Sequence, residues 1–311
     1  MSNKLGTKNG VGPSRVFLPA GSYPSLLEFL VERFPAGTRE GWSKRMLEGT
    51  VLNQLGEALA PDAQYLPNQH IYYYRELQKE TPIPFEEIIV YEDNNIVVAD
   101  KPHYLPVSPV GPFLQETLLV RLKNRLGIDG LNLAHRIDLE TAGLVLFTKR
   151  PELRAIYQNL FRDQQIVKFY EAIAPIRSDL ELPLTYRSCL QESSAFMQMH
   201  EIAGEPNSET RIELIESNNG LGRYKLSPVT GKKHQLRAHM NALGIPIKND
   251  QIYPVLKGYV HPEVRDYSEP LQLLAKELSF VDPLTHKEHV FKSTLRLLPL
   301  RCQLLPSCYL L

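Results

Sequence analysis

The sequence predicts an α+β protein in which a mainly antiparallel, mixed sheet is flanked by helices and loops, with a small α/β domain in front. Two turn signals support the sheet. Glu92-Asp93-Asn94-Asn95 and Asn218-Asn219-Gly220 each lie between two apolar segments, a pattern typical of a β-hairpin. Segments with strand character also outnumber those with helical periodicity. This distribution disfavours a parallel sheet built from alternating strands and helices.

A small domain is expected over residues 23–80, preceded by an N-terminal arm over residues 1–22. The arm has few periodic apolar positions, so we expect it to be loosely docked. Ser25 and Glu28 match a capping box at the start of a first helix, and Pro35 ends that helix.

A second helix and two short strands complete this domain. The helix is expected over residues 38–49, with Trp42, Met46 and Leu47 facing the core. The strands are expected over residues 50–53 and 70–75.

The larger domain is expected over residues 85–311, after a linker at residues 81–84. The linker reads Thr-Pro-Ile-Pro, and each proline disfavours helix in the residue before it. Apolar periodicity and turn residues then predict a series of strands and two helices. The strands are expected over residues 88–91, 96–99, 143–148, 166–174, 211–216, 223–227, 271–281 and 287–292, and the helices over residues 151–162 and 234–243.

Composition places the chain among folded globular proteins. Its 311 residues are 43% hydrophobic and 23% charged, which is far from the disordered class. Three cysteines without a CxxC pair argue against a disulfide framework and a zinc site. The chain shows neither a secretory signal nor about 18 consecutive apolar residues. We expect a cytoplasmic protein that binds no metal and no membrane.

Charge is segregated along the chain although the formal net charge is zero. Residues 223–237 hold five Lys/Arg and no Asp/Glu, and residues 121–137 hold four Lys/Arg and one Asp. Residues 76–100 hold seven Asp/Glu and one Lys. Such segregation predicts a local positive potential that suits nucleic acid. The alternative is that the charges solvate different faces of the protein.

Three polar segments have the residue types of a catalytic or binding site. Residues 135–143 form a polar loop that runs into an apolar strand, which is how rigid folds position functional side chains. Lys168-Phe169-Tyr170 opens another strand. Residues 230–237 form a basic turn at a helix N-terminus, where backbone N–H groups with Lys232 and Lys233 suit a phosphate. Taken singly, each segment can also be a plain turn, a core strand or a solvated loop.

Together these segments resemble the signatures of the RluA-type pseudouridine synthase family. HRIDLETAGLVLFTK resembles its H-R-L-D-x-x-T-S-G-L-L-L-F-A-K signature, VKFYEA resembles its K-x-Y strand, and TGKKHQLRAHMNALGIPI resembles its T-G-R-T-H-Q-L-R-V-H segment. Lys101-Pro102 matches the lysine–proline pair that opens the catalytic domain of the family. Residues 25–75 resemble the S4-type RNA-binding module that many members carry. The resemblance covers residues 25–295.

The resemblance implies a role for each matching residue. Asp138 would be the catalytic aspartate, Arg237 its ion-pair partner, and Tyr170 the tyrosine that packs against the target base. The resemblance also places Arg136 where the flipped nucleotide was and Leu236 in the uracil pocket, and we expect Lys101 and Lys168 to contact the substrate. Arg39, Lys44 and Arg45 lie on or near the second helix of the small domain, where they can contact phosphates. Glu40 and Glu48 dilute this patch, so a purely structural role for the small domain stays open.

The implied activity is that of an isomerase that converts uridine to pseudouridine in a structured RNA, either ribosomal or transfer RNA. The reaction breaks the C1′–N1 bond and joins C5 to C1′, so it needs no metal and no cofactor. The target base must leave the stack, and an arginine such as Arg136 can fill the vacated space. An arginine beside Asp138 favours the ionised carboxylate, which suits a nucleophile or a base. Attack on C1′ and elimination through a glycal both stay open, and we expect a monomer.

Four departures from the family pattern remove none of these groups. Ala142 stands where serine is usual, Lys232-Lys233 replaces Arg-Thr, Tyr104 stands where glycine is common, and Asn249-Asp250 replaces Gly-Asp. We expect them to affect which RNA is recognised rather than whether the reaction occurs.

Two other functions compete with this one. A non-catalytic RNA-binding protein would bind RNA without isomerising it. A glycosidase would use Asp138 and Glu140 as paired carboxylates, but they lie at a turn with no sugar-stacking aromatic residues nearby. His234 and His239 point to different faces of their helix, so we expect structural or capping roles for them rather than metal binding.

Overall fold

The structure, a computed structural model, divides the chain into two compact units. The first unit consists of Met1–Glu80 and Ser108–Asp129, and the second of Thr81–Val107 and Gly130–Leu311. The boundary between residues 80 and 81 therefore falls at the start of the expected linker. The residues that the structure describes are 5–35, 37–75, 80–193, 198–258 and 260–300.

The first unit contains a three-stranded antiparallel sheet and three helices. Its elements are β1 (Ser14–Leu18), α1 (Leu26–Arg33), α2 (Arg39–Leu47), β2 (Val51–Leu52), β3 (Gln69–Tyr73) and α3 (Leu118–Leu126), with the strands in the order β1-β3-β2. Ser25 caps α1 by accepting a hydrogen bond from the N–H of Glu28 (3.3 Å). Thr38 caps α2 by accepting one from the N–H of Gly41 (3.0 Å). Both helices begin where the sequence predicts.

Two expectations for this unit are wrong. The expected arm contains β1, whose residues Val16 and Leu18 are buried in the core of the unit. Two buried side chains in five residues are too few to be seen as a period in the sequence. Leu47 is 74% exposed, because Trp42 and Met46 share the buried face of α2 and Leu47 lies one position further round the helix.

Residues 108–129 also differ from expectation, since they belong to the first unit and not to the larger domain. Val120 of α3 packs with Val11. The Glu80 carboxylate accepts hydrogen bonds from the backbone N–H groups of residues 114–116. These contacts join segments that are far apart in the chain, which local periodicity does not reveal.

The second unit is built on an 11-stranded sheet. Its strands are β4 (Ile88–Glu92), β5 (Ile96–Lys101), β6 (Asn132–Leu133), β7 (Ala142–Thr148), β8 (Val167–Pro175), β9 (Leu184–Glu192), β10 (Met199–Ile202), β11 (Ser208–Asn218), β12 (Leu221–Pro228), β13 (Leu273–Val281) and β14 (Glu288–Lys292). Its helices are α4 (Arg154–Arg162) and α5 (Gln235–Ala242), with 3-10 turns at Pro151–Leu153 and Pro262–Val264. No helix in the described ranges is long and apolar enough to cross a membrane.

Pairing in this sheet is mainly antiparallel. The order is β10-β9-β11-β12-β8-β13-β7-β5-β4, with β14 on β13 and β6 on β7. Within the described part of the chain, β13 and β7 pair in parallel and the other strand pairs are antiparallel. The α+β class and both predicted hairpins, β4–β5 and β11–β12, are confirmed. Strands β9 and β10 were not predicted.

The sheet order brings the three polar segments close together. Strand β13 lies between β7 and β8, so one strand separates the loop that enters β7 from Tyr170 in β8. Strand β12 pairs with the other edge of β8, and the chain after β12 continues into α5. Strand β7 is buried along its whole length, which gives the loop before it a rigid support.

Gly143 is required where β7 meets β13. Its φ is 112°, a value that residues with side chains rarely adopt. An added Cβ would lie 2.3 Å from the carbonyl oxygen of Ala275. The two strands therefore touch backbone to backbone directly after the polar loop, and a side chain here would displace that loop.

Candidate active site

Arg237 of α5 holds three carboxylates in a buried cluster. Its guanidinium makes two hydrogen bonds to Asp250, from Nε to Oδ2 (2.8 Å) and from Nη2 to Oδ1 (2.6 Å). Nη2 also donates to Glu140 Oε2 (2.8 Å), and Nη1 donates to Asp138 Oδ2 (3.4 Å). The expected contact between Asp138 and Arg237 is present, but it is the longest of the set.

Asp250 is the main partner of Arg237, and sequence reasoning missed it. Its side chain is fully buried, and its carboxylate also accepts hydrogen bonds from the N–H groups of Ile252 (2.8 Å) and Tyr253 (3.1 Å). The sequence does contain a signal for Asp250, since the family pattern also has an acid at this position. A buried guanidinium needs carboxylate partners, and this acid was a candidate partner for Arg237.

Burial and ion pairing act in opposite directions on this cluster. Burial by itself lowers the pKa of Arg237, but the hydrogen bonds and charge of Asp250, together with the charges of Asp138 and Glu140, raise it above its usual value. Burial raises the pKa of Glu140, although Arg237 opposes this change. Arg237 consequently keeps its charge at any working pH and holds its partners by charge as well as by hydrogen bonds.

A cavity of about 670 Å³, the central pocket, opens next to Asp138. Its walls come from the loop before β7, from β8, from the basic turn after β12 and from α5. The predicted site residues that line it are Arg136, Asp138, Lys168, Tyr170, Leu236 and Arg237. These six residues all come from the three segments that carry the family resemblance, and the wall also includes Phe161, Arg162, Gln164, Asn207 and Leu273.

Tyr170 and Lys168 form the β8 wall of the central pocket, and both side chains are partly buried. Burial, with the nearby charge of Asp138, raises the pKa of the Tyr170 hydroxyl, so the phenol stays protonated at neutral pH. Burial lowers the pKa of Lys168. Arg136 lies exposed at the pocket edge.

Lys101 does not line the pocket, so the expected substrate contact is wrong for this residue. Its side chain is fully buried, and Nζ donates to the carbonyl oxygens of Pro102 (3.0 Å) and Leu139 (3.0 Å). Burial lowers the pKa of Lys101 to about 7, against the opposing charges of Asp138 and Glu140. The lysine, itself the last residue of β5, therefore ties the loop before β7 to that strand.

His234 lies in the pocket wall at the N-cap position of α5. Of the structural or capping role expected for it, capping by the side chain is wrong. Its backbone is left-handed (φ 50°) and its side chain makes no capping hydrogen bond to α5. Nε2 lies 3.9 Å from Asp138 Oδ1, and the side chain is 10% exposed. Nδ1 is buried without a hydrogen-bond partner among the described residues. Burial lowers the pKa of His234, so the imidazole is neutral at pH 7.

Two other histidines near the pocket have structural roles. His239 is fully buried, and its ring nitrogens contact Thr210 Oγ1 (3.0 Å) and Ser208 Oγ (2.9 Å). His135 Nε2 accepts a hydrogen bond from the N–H of Leu146 (3.1 Å), which anchors the start of the loop to β7. Within the described ranges, histidine, cysteine and acidic side chains do not form a group of three that could hold a metal ion.

Gln235 braces the basic turn that was expected to bind a phosphate. Its Oε1 accepts hydrogen bonds from Thr230 Oγ1 (2.7 Å) and from the N–H of Lys232 (3.0 Å). Nζ of Lys233 pairs with Glu192 (3.0 Å). The Lys232 N–H is used within the turn and is therefore not available to the phosphate expected here, whereas the Lys232 side chain is exposed at the pocket edge.

Comparison with known proteins shows the family of this chain. Residues 95–242 match the model of the RNA pseudouridylate synthase family. The chain is 32% identical to the dual-specificity RNA pseudouridine synthase RluA of Haemophilus influenzae, over 66% of this chain and 91% of that protein. The chain belongs to the RluA-type family of RNA pseudouridine synthases. It is an isomerase that acts on uridine in RNA.

Other comparisons agree with this family. The chain is 27% identical to the mitochondrial tRNA pseudouridine(32) synthase of Saccharomyces cerevisiae, over 73% of this chain and 50% of that protein. The solved structure of human RNA pseudouridylate synthase domain containing 1 is similar with a TM-score of 0.54 and 22% identity, over 69% of this chain and 86% of that one. The second similarity concerns the fold alone.

Two departures of this pseudouridine synthase from the family pattern have a backbone explanation. Tyr104 has a φ of 66° and Asn249 a φ of 63°, and both stand where the pattern has glycine. Glycine adopts this left-handed conformation without strain, and asparagine does so more readily than most other residues. Tyr104 is the strained position of the two, and its ring packs against Tyr267 and Phe85.

The buried cluster predicts a large loss of stability when either Arg237 or Asp250 loses its partner. We expect Arg237→Met and Asp250→Ala each to lower the free energy of unfolding by about 3–5 kcal/mol, because the first leaves the buried Asp250 carboxylate without its cation and the second removes the main partner of the buried guanidinium. The double variant should lose less than the sum, since both changes remove the same interaction. Urea unfolding followed by circular dichroism measures these values.

The matched controls are Arg211→Met and Glu213→Ala, which remove an exposed ion pair. They should change the free energy of unfolding by about 1 kcal/mol at most. Strictly additive losses at residues 237 and 250 would show that the two side chains do not depend on each other.

Proposed function

We propose that this pseudouridine synthase uses Asp138 as its catalytic carboxylate. The observation that carries the proposal is a difference among the three acids on Arg237. Asp138 is 28% exposed and lines the central pocket, whereas Glu140 is 13% exposed and Asp250 is fully buried. Only the first is accessible to a substrate. The other two acids neutralise and orient the guanidinium.

Arg237 is held in place before any substrate arrives. Its bonds to Asp250 and Glu140 leave Nη1 directed at Asp138. A fixed positive charge beside Asp138 stabilises the ionised carboxylate and requires no rearrangement during the reaction. Removal of this charge would weaken both the fold and the chemistry.

The pocket suits a single everted nucleotide. Its volume of about 670 Å³ lies within the range of about 300–1,000 Å³ that is usual for small-molecule sites. We place the uracil between the Tyr170 ring and Leu236, which supply apolar surface on opposite segments of the wall. Because the Tyr170 phenol stays protonated, it fits packing and hydrogen-bond donation better than proton removal. Arg136 at the edge is placed to occupy the space that the base leaves in the RNA.

The reaction is balanced without a cofactor. The C1′–N1 bond breaks and its electron pair stays on the uracil N1. The uracil turns, C5 bonds to C1′, the proton on C5 is released and N1 takes up a proton. Asp138 acts either by bonding to C1′ as a nucleophile or by removing a sugar proton on the way to a glycal.

Replacement of Asp138 should abolish the reaction and spare RNA binding. We expect Asp138→Asn to lose at least about 100-fold in kcat, because the amide can act neither as a nucleophile nor as a base. Tritium release from 5-tritiated uridine in RNA measures turnover, and filter binding measures affinity. Asp163→Asn, an exposed acid at the end of α4, is the control and should remain active. Full activity of the Asp138 variant would refute the assignment.

We further propose that His234 positions Asp138 and the substrate. The imidazole is neutral, nine-tenths buried and close to Asp138 Oδ1, and Nδ1 has no protein partner in the described ranges. A buried polar residue whose side chain makes no capping hydrogen bond, and whose backbone is held in a left-handed conformation at a pocket wall, is typical of a functional position.

His234→Asn tests this role without a change in backbone preference, since asparagine tolerates the left-handed conformation. We expect kcat to fall about 10- to 100-fold, with KM for the RNA and the urea midpoint unchanged. His234→Gly should lower kcat in the same way, because it removes the imidazole and glycine also adopts the left-handed conformation. Wild-type kcat in both variants would show that the imidazole only fills space.

For the small unit we propose an S4-like contact with RNA through α2. Lys44 is exposed, and Arg45 lies over the Trp42 ring with its guanidinium 4.9 Å from the ring centroid. Arg39 pairs with Glu28, and Lys44 lies 3.7 Å from Glu48. These acids weaken the patch, so the expected contribution is modest.

The combined variant Lys44→Gln/Arg45→Gln measures that contribution. The slope of log affinity against log salt concentration should become shallower by about one unit for each phosphate that the variant no longer neutralises. The measurement uses the full chain and a hairpin RNA. An unchanged slope would mean that α2 does not contact phosphate.

The RNA that is modified is a further part of the proposal. The names of two relatives include "dual-specificity RNA" and "tRNA", which supports ribosomal or transfer RNA as the substrate here. The gathering of Asp138, Tyr170 and Arg237 around one pocket argues against a non-catalytic RNA-binding protein. A monomeric state and a cytoplasmic location stay predictions.

A further inference from the structure

A second surface of the small unit has the chemistry of a nucleic-acid site. Strands β1 and β3 pair in antiparallel register, with Arg15 opposite Tyr72 and Phe17 opposite His70. These four side chains alternate with the core residues of the same strands and therefore lie together on the outer face of the sheet. We call them the stacking face.

The stacking face is open to solvent. Phe17 is 50% exposed, and its ring centroid lies 5.2 Å from that of His70. On the opposite face of the same strands, Val16 and Ile71 are buried in the core. An isolated exposed phenylalanine is ordinary on a protein surface. Three rings and a guanidinium aligned across two strands are a more specific arrangement.

The polar atoms of the stacking face are available for a ligand. Within the described residues, the guanidinium of Arg15, the ring nitrogens of His70 and the hydroxyl of Tyr72 have no hydrogen bond or ion pair. The neighbouring residue on this face in β2 is Leu52, which pairs with Tyr72, so the strands present no acid here. The face therefore combines aromatic surface, one positive charge and unused donors.

We propose that the stacking face binds unpaired bases of the substrate RNA. Single-stranded RNA is recognised mainly by bases stacked on aromatic rings and arginine planes, with cations on the backbone. A protein partner could bind to an apolar face without the arginine. Arg15 would strengthen such binding only if the partner placed an acidic side chain opposite it. The inference rests on the proposed RNA function and adds a site distinct from both the central pocket and α2.

The test measures binding by the full chain in the Asp138→Asn background, so that the RNA is not altered. The probes are a fluorescent oligouridylate of about eight nucleotides and a blunt duplex of the same length. Phe17→Ala and Tyr72→Ala should each weaken oligouridylate binding by about 5- to 150-fold and leave duplex binding within about twofold. Leu55→Ala, an exposed apolar residue of the same unit that lies outside both the stacking face and α2, is the matched control and should have no effect.

Each alternative outcome contradicts the proposal in a different way. Unchanged oligouridylate affinity in both variants would exclude base stacking. Equal losses for the duplex and the oligouridylate would show a general effect on the unit. A change in sedimentation of either variant, with unchanged RNA affinity, would identify the face as a contact between protein chains.

Turnover separates this inference from the proposed function. In the otherwise wild-type enzyme, Phe17→Ala should raise KM for the RNA more than it lowers kcat. If Asp138→Asn kept its activity while the stacking-face variants still bound RNA more weakly, the catalytic assignment would fail and the stacking face would stand. If Asp138→Asn were inactive and the stacking-face variants bound normally, the reverse would hold.

Discussion

The buried guanidinium of Arg237 is the constraint on which the second unit depends. A charge that is 2% exposed is tolerable only with carboxylates around it. Those carboxylates come from two segments that are distant in the chain, the loop before β7 and the segment after α5. The same requirement that stabilises the fold therefore brings Asp138 to the pocket. Lys101 supports this arrangement, since its Nζ donates a hydrogen bond to the carbonyl oxygen of Leu139, the residue next to Asp138.

Accessibility, rather than residue type, separates the structural acids from the acid that we propose to be catalytic. Asp250 uses both oxygens on Arg237 and on backbone N–H groups, so nothing is left for a substrate. Asp138 keeps a longer contact with the guanidinium and faces the cavity. The site thus contains a fully satisfied ion pair that acts as a scaffold, and a carboxylate that is only partly satisfied. Enzymes commonly place strain and incomplete pairing at the reacting group and complete pairing around it.

The contacts that we propose would distribute the recognition of RNA over several surfaces of a protein whose net charge is zero. Exposed cations at the pocket edge, such as Arg136 and Lys232, give a local positive field where the substrate must enter. Many other surface cations are paired with acids, as Lys233 is with Glu192. The affinity for RNA would then depend on contacts from several surfaces. The stacking face is one of them, and its contribution would come mainly from aromatic rings rather than from a high density of charge. Such contacts distinguish unpaired nucleotides from duplex.

Local patterns in the sequence determined much of this protein. Capping residues placed the starts of α1 and α2, turn residues placed both hairpins, and the three polar segments identified the walls of the pocket, because each of these features is encoded within about ten neighbouring residues. Only the tertiary structure showed that Asp250 is the main partner of Arg237, that Lys101 is buried, that His234 is at the pocket and that residues 108–129 belong to the first unit. All four depend on contacts between segments that are distant in the chain. Burial and pairing of this kind arise from the packing of distant segments, which the periodicity of neighbouring residues does not reveal.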